Sequence, residues 1–422
     1  MSDEHKWGDV IYTDLSSAQT EFLTMITTNS QRNYFLQGCA GSGKTIIAAF
    51  ATGIMTAKQD KKVKLLVFTK VLAKFIRDGF PDSSAANYYV DYFHDWKKND
   101  VELHDVLIVD ESQDFESHMV SSVRSKSKNQ IWMGDASQQL YEDAKNDGAF
   151  EKIYRELDSQ SRLNFDTNYR NSISIAQLAK AFITVNDLDR DANITKEQKV
   201  KDFIEPIARN RRQTSGSKNQ PNLFIEARNE SEELDAIAQL IKDIQNNKET
   251  DKQIAVAQLK NSQLKELDYQ LTNRGVSLMT LPSPRERTLE NLPNFNDKGL
   301  TFLSTIHSLK GLEFDYIIFP KSEIEKIDFW AADDINMNLF FVLFSRAKTR
   351  IICSYVDKEN SFVYNAVRND INNSFFQFIK ASELLGDTFQ NSIEEPISSN
   401  KVVTEVQNKK AEELVKEYFE DL

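Results

Sequence analysis

The feature that most constrains this chain is the run Gly38-Cys39-Ala40-Gly41-Ser42-Gly43-Lys44-Thr45, a complete G-x-x-x-x-G-K-T. It follows a short apolar run, NYFLQ, and opens an apolar stretch with helical spacing, IIAAFATGIMTA. A glycine-rich turn between strand and helix lets backbone N–H groups surround an anion, and the helix N-terminus adds partial positive charge. In such a pattern Gly38, Gly41 and Gly43 let the loop curl, Lys44 neutralises the β- and γ-phosphates, and the Thr45 hydroxyl is a ligand for Mg2+. The motif calls for a parallel α/β sheet around it and predicts nucleotide binding. Cys39 reads as a small residue tolerated in the loop, with a reactive thiol as the alternative.

A phosphate loop needs a second anchor for Mg2+ at the end of a neighbouring strand. The apolar run VLIVD followed by ESQD supplies it. Asp110 closes the run and is expected to hold the metal through water; Glu111 follows and is expected to orient and deprotonate an attacking water. Hydrolysis of ATP, rather than binding alone, is the predicted output.

The same alternation of apolar runs and helical stretches continues through KLLVFT and QIWMGD, which predicts a parallel sheet covered by helices. After the polar, partly basic segment EPIARNRRQTSGSKNQPN a second series begins. It runs through NLFIEA, SEELDAIAQLIKDI, QIAVAQL, SQLKELDYQLTNRG, VSLMTL, LTFLSTI, YIIFP, NMNLFFVLFSRA and RIICSY. Two α/β units in tandem are the expectation, and 422 residues suffice to give each its own core. Cys39 and Cys353 are the only cysteines, so no disulfide framework can form and a reducing, cytoplasmic setting fits. The charged start MSDEHKWGDV lacks the apolar stretch of a secretory signal, and no membrane span is expected. A net charge of −12 excludes wholesale coating of nucleic acid but permits a local basic groove. Arg209, Arg211, Arg212 and Lys218 are candidates for such a groove, with solvated loop charge as the alternative. Trp96 reads as core rather than as a base-facing ring.

Taken together, these residues resemble superfamily 1 helicases of the UvrD/Rep type, whose second motif, D-E-x-Q, is matched by Asp110-Glu111-Ser112-Gln113. The resemblance implies two tandem RecA-like P-loop NTPase domains with parallel sheets flanked by helices. Residues 1–165 would form the ATP-binding domain, 166–390 the second domain and 391–422 a charged tail. It also implies roles for further residues. Gln19, in Leu15-Ser16-Ser17-Ala18-Gln19, would read the adenine edge. Gln138, in Gly134-Asp135-Ala136-Ser137-Gln138, would touch the γ-phosphate. In Asn168-Tyr169-Arg170, Tyr169 would stack on adenine and Arg170 would reach the γ-phosphate. The stretch Ser304 to Phe314, STIHSLKGLEF, is similar to T-x-H-x-x-K-G-L-E-F; there Gly311 and Glu313 would lie at the nucleotide, and Thr305 and His307 near the strand backbone. Phe68 and Thr69 resemble part of the first strand-binding motif. Arg346, in FVLFSRAK, would act as an arginine finger.

The chain departs from that family in three places. The gaps from Thr69 to Asp110 and from Leu281 to Thr301 are too short for large accessory domains, so a reduced motor is expected. Tyr141 is followed by Glu142-Asp143-Ala144-Lys145 where a tryptophan and arginine are usual, and carboxylates there would repel phosphate. Lys70-Val71-Leu72-Ala73 replaces the usual polar-then-small run. The leading expectation is an ATP-driven motor on single-stranded DNA. The alternatives are an RNA helicase and an ATP-driven switch that partners a nuclease or other protein in repair or phage defence.

Overall fold

Strands covered on both faces need apolar residues at every position, because neither face meets water. In the computed structural model, which describes residues 6–7, 10–59, 61–80, 89–209, 219–246, 251–281, 294–295, 297–323, 333–370 and 373–386, such strands build two parallel sheets. A short antiparallel pair, β1 (Lys6–Trp7) and β2 (Val10–Ile11), precedes them. The first sheet contains β3 (Tyr34–Gly38), β4 (Val63–Val67), β5 (Val90–Tyr92), β6 (His104–Val109), β7 (Ser127–Gly134) and β8 (Arg162–Phe165), in the order β5-β4-β6-β7-β3-β8. The second contains β9 (Asn222–Glu226), β10 (Ile254–Gln258), β11 (Met279–Thr280), β12 (Thr301–Thr305), β13 (Phe314–Phe319), β14 (Ala347–Tyr355) and β15 (Phe376–Lys380), in the order β11-β12-β10-β13-β14-β9-β15.

Alternate side chains of each strand feed separate cores. Leu65 and Val67 join one cluster with α1 (Ser17–Thr28) and α2 (Lys44–Gln59), while Leu66 joins Phe93, Trp96 and Trp132 on the opposite face. In the second sheet Ala255, Phe302 and Ile317 face the helices Ile173–Ala179, Lys196–Arg209 and Asp333–Ser345. Ile254, Leu303 and Ile318 face the helices Glu230–Asn246 and Asn261–Thr272. The helices Ile173–Ala179 and Lys196–Arg209 therefore pack with the second sheet, whereas Leu188 between them joins the core of Leu66. The core of Ala255, Phe302 and Ile317 also takes in Ala40, Val71 and Leu140 from the first unit, so apolar contact runs between the two units.

This arrangement brings two sheet edges together. Strands β6, β7 and β3 are parallel neighbours, so the loops after Val109, Gly134 and Gly38 leave the same edge. Strands β13 and β14 pair from Phe314 and Ala347, and the Phe314 amide donates to the Arg346 carbonyl at 3.0 Å. The carboxyl edge of the first sheet thus meets the amino edge of the second. The short strands β5, β8 and β15 lie outside the runs read from sequence. Each is an edge strand with one neighbour and a partly exposed burial pattern. Arg211, Arg212, Lys218, most of the stretch from Leu281 to Thr301 and the tail 391–422 lie outside the described residues. Among the described residues no helix is long and apolar enough to cross a membrane.

Phe224 is fully buried on β9 and stacks on Phe378 at 4.9 Å. Phe224→Ala is expected to lower the free energy of unfolding by about 3–5 kcal/mol, because the ring leaves a cavity that the sheet cannot collapse into. Urea denaturation followed by circular dichroism measures this, and a loss below about 1 kcal/mol would contradict that packing.

Candidate active site

Strand β3 ends at Gly38 and α2 begins at Lys44, so the phosphate loop joins a buried strand to a helix N-terminus. Gly41 and Gly43 have φ of +70° and +88°, conformations that side chains with a Cβ resist. A Cβ on Gly41 would also stand 2.4 Å from Asn168 Oδ1 and 2.7 Å from Arg170 Cβ. The N-Y-R turn therefore rests directly on the loop, and the Tyr169 amide donates to the Gly41 carbonyl at 3.0 Å. Gln19 braces the other side. Its Nε2 donates to the Ser42 carbonyl at 2.9 Å, and its Oε1 accepts from the Ser16 amide at 2.9 Å in a capping box. Both ends of the amide expected to read adenine are engaged in this way.

The polar groups that would meet a triphosphate and its metal are turned on one another. Lys44 Nζ donates to the carbonyls of Gly38 at 2.6 Å and Cys39 at 3.2 Å. Thr45 Oγ1 donates to Asp110 Oδ2 at 2.6 Å. A hydroxyl beside a buried carboxylate is the hard-oxygen donor set that suits Mg2+. Burial lifts the Asp110 carboxyl to about 6, helped by the adjacent Glu111 charge. Burial also opposes charge on Glu111, but Lys310, Arg346 and Lys44, with a Gln113 hydrogen bond, hold it below the usual glutamate range. Glu111 has φ of +56°, a left-handed conformation unusual for a residue with a Cβ and one that recurs at functional sites. The Cys39 thiol is pushed up to about 12 by burial and bonds to the Asp166 carbonyl, as a packed side chain rather than a nucleophile.

The second sheet supplies the remaining charges. Arg346 is 2% exposed; its Nε donates to the Val342 carbonyl at 3.2 Å, and its Nη2 donates to Gln138 Oε1 across the interface. Burial and the neighbouring Arg170 lower its guanidinium to about 10. Arg170 Nε donates to Glu313 Oε2 at 2.9 Å and its Nη1 to the Ser345 carbonyl at 3.2 Å. Although burial opposes it, Lys348 and Arg170 bring Glu313 down to about 2. Tyr169, beside Arg170, is 40% exposed. Gly311 lies against Leu72 of α3 (Lys70–Asp78), where a Cβ would come within 2.6 Å.

Several residues that join these parts carry no role in the sequence reading. Gln113 Nε2 donates to Glu111 Oε2 at 2.5 Å while its Oε1 accepts from the Asp135 amide at 3.1 Å, tying the loops after β6 and β7. Asp135 in turn accepts from Gln138 Nε2 at 2.8 Å. Asn171 Nδ2 donates to the Ser345 and Ala347 carbonyls at 3.1 and 2.7 Å, which hangs the N-Y-R turn on β14. Lys310, 1% exposed, pairs with Asp114 and donates to the Gln138 carbonyl at 2.7 Å. The only sequence signal for Lys310 is its place in the K-G-L-E-F run.

The four candidates for strand contact divide into two pairs. Phe68 and His307 belong to one row of rings: Phe68 lies 5.0 Å from Tyr141, and Tyr141 lies 5.6 Å from His307. Burial, then the Lys310 charge, lowers His307 to about 4. Thr69 and Thr305, by contrast, are 1% and 5% exposed and cap local turns, with Thr69 Oγ1 accepting from the Leu72 amide at 3.1 Å and Thr305 Oγ1 from Ser308 at 3.3 Å. Trp96 is buried, with Lys126 over its ring at 4.8 Å. Arg209 is exposed and pairs with Glu205 on its own helix.

Two protein families described as AAA domains match the sequence, one over residues 14–200 and the other over 146–354. No curated protein matches it. Among solved structures, S. cerevisiae Dbp5 bound to RNA and ADP BeF3 is similar with a TM-score of 0.53 and 12% identity, over 90% of this chain and 93% of that one. A variant of Dbp5 in the same complex gives 0.53 and 11%, over 90% and 94%. The C-terminal domain of a possible DNA helicase from Lactobacillus plantarum WCFS1 gives 0.32 and 15%, over 50% and 99%. This chain therefore has the tandem RecA-like fold of helicases, with AAA-domain sequence matched between residues 14 and 354.

Proposed function

We propose that this chain is an ATP-hydrolysing motor of the superfamily 1 type, related to the UvrD/Rep group, that moves on single-stranded nucleic acid, with DNA as the leading substrate. The observation that carries this reading is the seam between the sheets, where Arg346 and Lys310 of one unit grip Gln138 and Asp114 of the other. A site built from two lobes opens and closes with its ligand, which simple nucleotide binding does not require.

In this mechanism a triphosphate in the loop draws Lys44 off the Gly38 and Cys39 carbonyls. Thr45 and Asp110 would hold Mg2+, which neutralises phosphate charge when bound. Glu111, kept ionised by the surrounding cations, accepts a proton from water as the water oxygen bonds to the γ-phosphorus. The bond to the β–γ bridging oxygen breaks, leaving ADP and phosphate. Arg170 and Arg346 stabilise the charge that builds on the transferring group, and Tyr169 stacks on the base. Arg170 leaves Glu313 to do so, which frees that carboxylate for the ribose. Loss of phosphate removes what the two lobes hold in common, so each cycle ends in opening. Dbp5, similar in fold, is bound to RNA in its complex, which makes RNA the second reading.

ATP turnover with and without single-stranded DNA or RNA tests the proposal: stimulation by DNA beyond that by RNA is expected. The reverse order moves the substrate to RNA, and no stimulation by either leaves a nucleotide switch with a protein partner. Glu111→Gln is expected to cut kcat by about 10²–10⁴-fold while retaining ATP, and Lys44→Ala to lose turnover. Normal hydrolysis by either variant would refute the assigned roles. Arg346→Ala is expected to lower kcat by about 10³-fold with a smaller change in nucleotide affinity, because its charge acts on the transition state. Fluorescent-nucleotide titration beside steady-state kinetics separates the two quantities.

A further inference from the structure

Among the described residues, Lys310 occupies an unusual position for a lysine. It sits between β12 and β13 of the second sheet, yet its ammonium is buried in the first unit, paired with Asp114 and donating to the Gln138 carbonyl at 2.7 Å. Glu111 Oε2 stands 3.7 Å away. Lys310 thus donates once to the loop after β6, at Asp114, and once to the loop after β7, at the Gln138 carbonyl, while Glu111 feels its charge. Gln138 is then held at both ends by the second unit, its side chain by Arg346 and its main chain by Lys310. Phe115, next to Asp114, is fully buried, and Asp114 Oδ1 accepts from the Leu140 amide at 3.4 Å, so the carboxylate has a fixed seat. A buried ion pair adds little to stability over an apolar pair of the same volume. Its worth here lies in what it aligns.

We propose that Lys310 is a positioning residue for hydrolysis: carried by the second unit, its ammonium grips Asp114 and the Gln138 carbonyl and so sets Glu111 and Gln138 in register with Arg346 only when the two units are closed. This rests on the proposed ATPase reading. Lys310 spends its bonds on Asp114 and the Gln138 carbonyl and acts through the two loops it joins. Misplacing a reacting group by about 1 Å costs on the order of 10²-fold in rate, which sets the expected size of the effect.

The test uses the full chain and the variants Lys310→Met, Asp114→Asn and the two combined. Lys310→Met is expected to lower kcat about 100-fold with KM for ATP changed less than about threefold, and to lower the melting temperature because Asp114 is left buried without its cation. The double variant removes both charges and keeps the acceptor for the Leu140 amide. It is expected to regain the melting temperature while kcat stays low. Recovery of kcat in the double variant to within about threefold of wild type overturns the proposal, since Lys310 would then merely neutralise Asp114. Should Lys310→Met fail to fold, the double variant and Asp114→Asn carry the comparison. Small-angle scattering without nucleotide reads the grip independently of turnover, and the double variant is expected to expand. If the wild-type chain hydrolyses no ATP, the motor reading fails while scattering still decides on the grip; an unchanged profile overturns it.

Discussion

Charge buried between two folded units is tolerable only while both supply its partners. Arg346, Lys310, Asp114 and Glu111 are each no more than 6% exposed, and each depends on a group from the opposite sheet. Parting the units would leave these ions either rehydrated in an open cleft or stranded in apolar surroundings, and the second alternative costs several kcal/mol per ion. The seam therefore favours two arrangements, closed with its pairs intact or open with its pairs in water, over any between. On the proposed reading, a triphosphate with its metal would enter this balance as more buried charge to be matched, which would make nucleotide state and lobe position one variable.

Apolar contact between the units complements the polar cleft. Ala40, Val71 and Leu140 of the first unit share a core with the helices of the second. Leu72 lies on Gly311, Phe75 meets Phe295 edge-on at 5.9 Å, and the Phe295 amide donates to Asp78 Oδ2 at 3.0 Å. Most of these contacts involve α3 and its flank. Apolar contact is non-directional and survives sliding, whereas the Arg346 and Lys310 bonds are lost with small displacements.

The sequence discloses those parts of the site whose chemistry is local. Lys44, Thr45, Asp110 and Glu111 stand beside the strand ends that carry them, so spacing and residue type suffice to predict that they come together. Buried central strands are equally legible because both faces demand apolar residues. Residues that work across the interface leave no such trace. Asn171 and Lys310 acquire their roles from partners far away in sequence, which the N-Y-R and K-G-L-E-F runs beside them do not announce. Edge strands β5, β8 and β15 are obscured for a different reason: with one neighbour, they need only part of the apolar pattern. Thr69 and Thr305 also cap local turns, a role that their motifs do not announce.

Spacing along the chain links the cleft to the aromatic row. Tyr141 stands three residues after Gln138, and His307 three before Lys310. Where Lys310 meets the Gln138 carbonyl, the two rings meet at 5.6 Å. Phe68 extends the row to Phe115, at 5.9 Å, next to the aspartate that Lys310 grips. A change that draws Lys310 away from Gln138 must also draw His307 away from Tyr141, because each pair is joined by less than one helical turn of chain. Rings that close and part with the phosphate site are suited to gripping and releasing a base, since stacking holds any base by its face. On the proposed reading, coupling of hydrolysis to movement would need no long relay, only the few residues that separate each ring from the ion pair it follows.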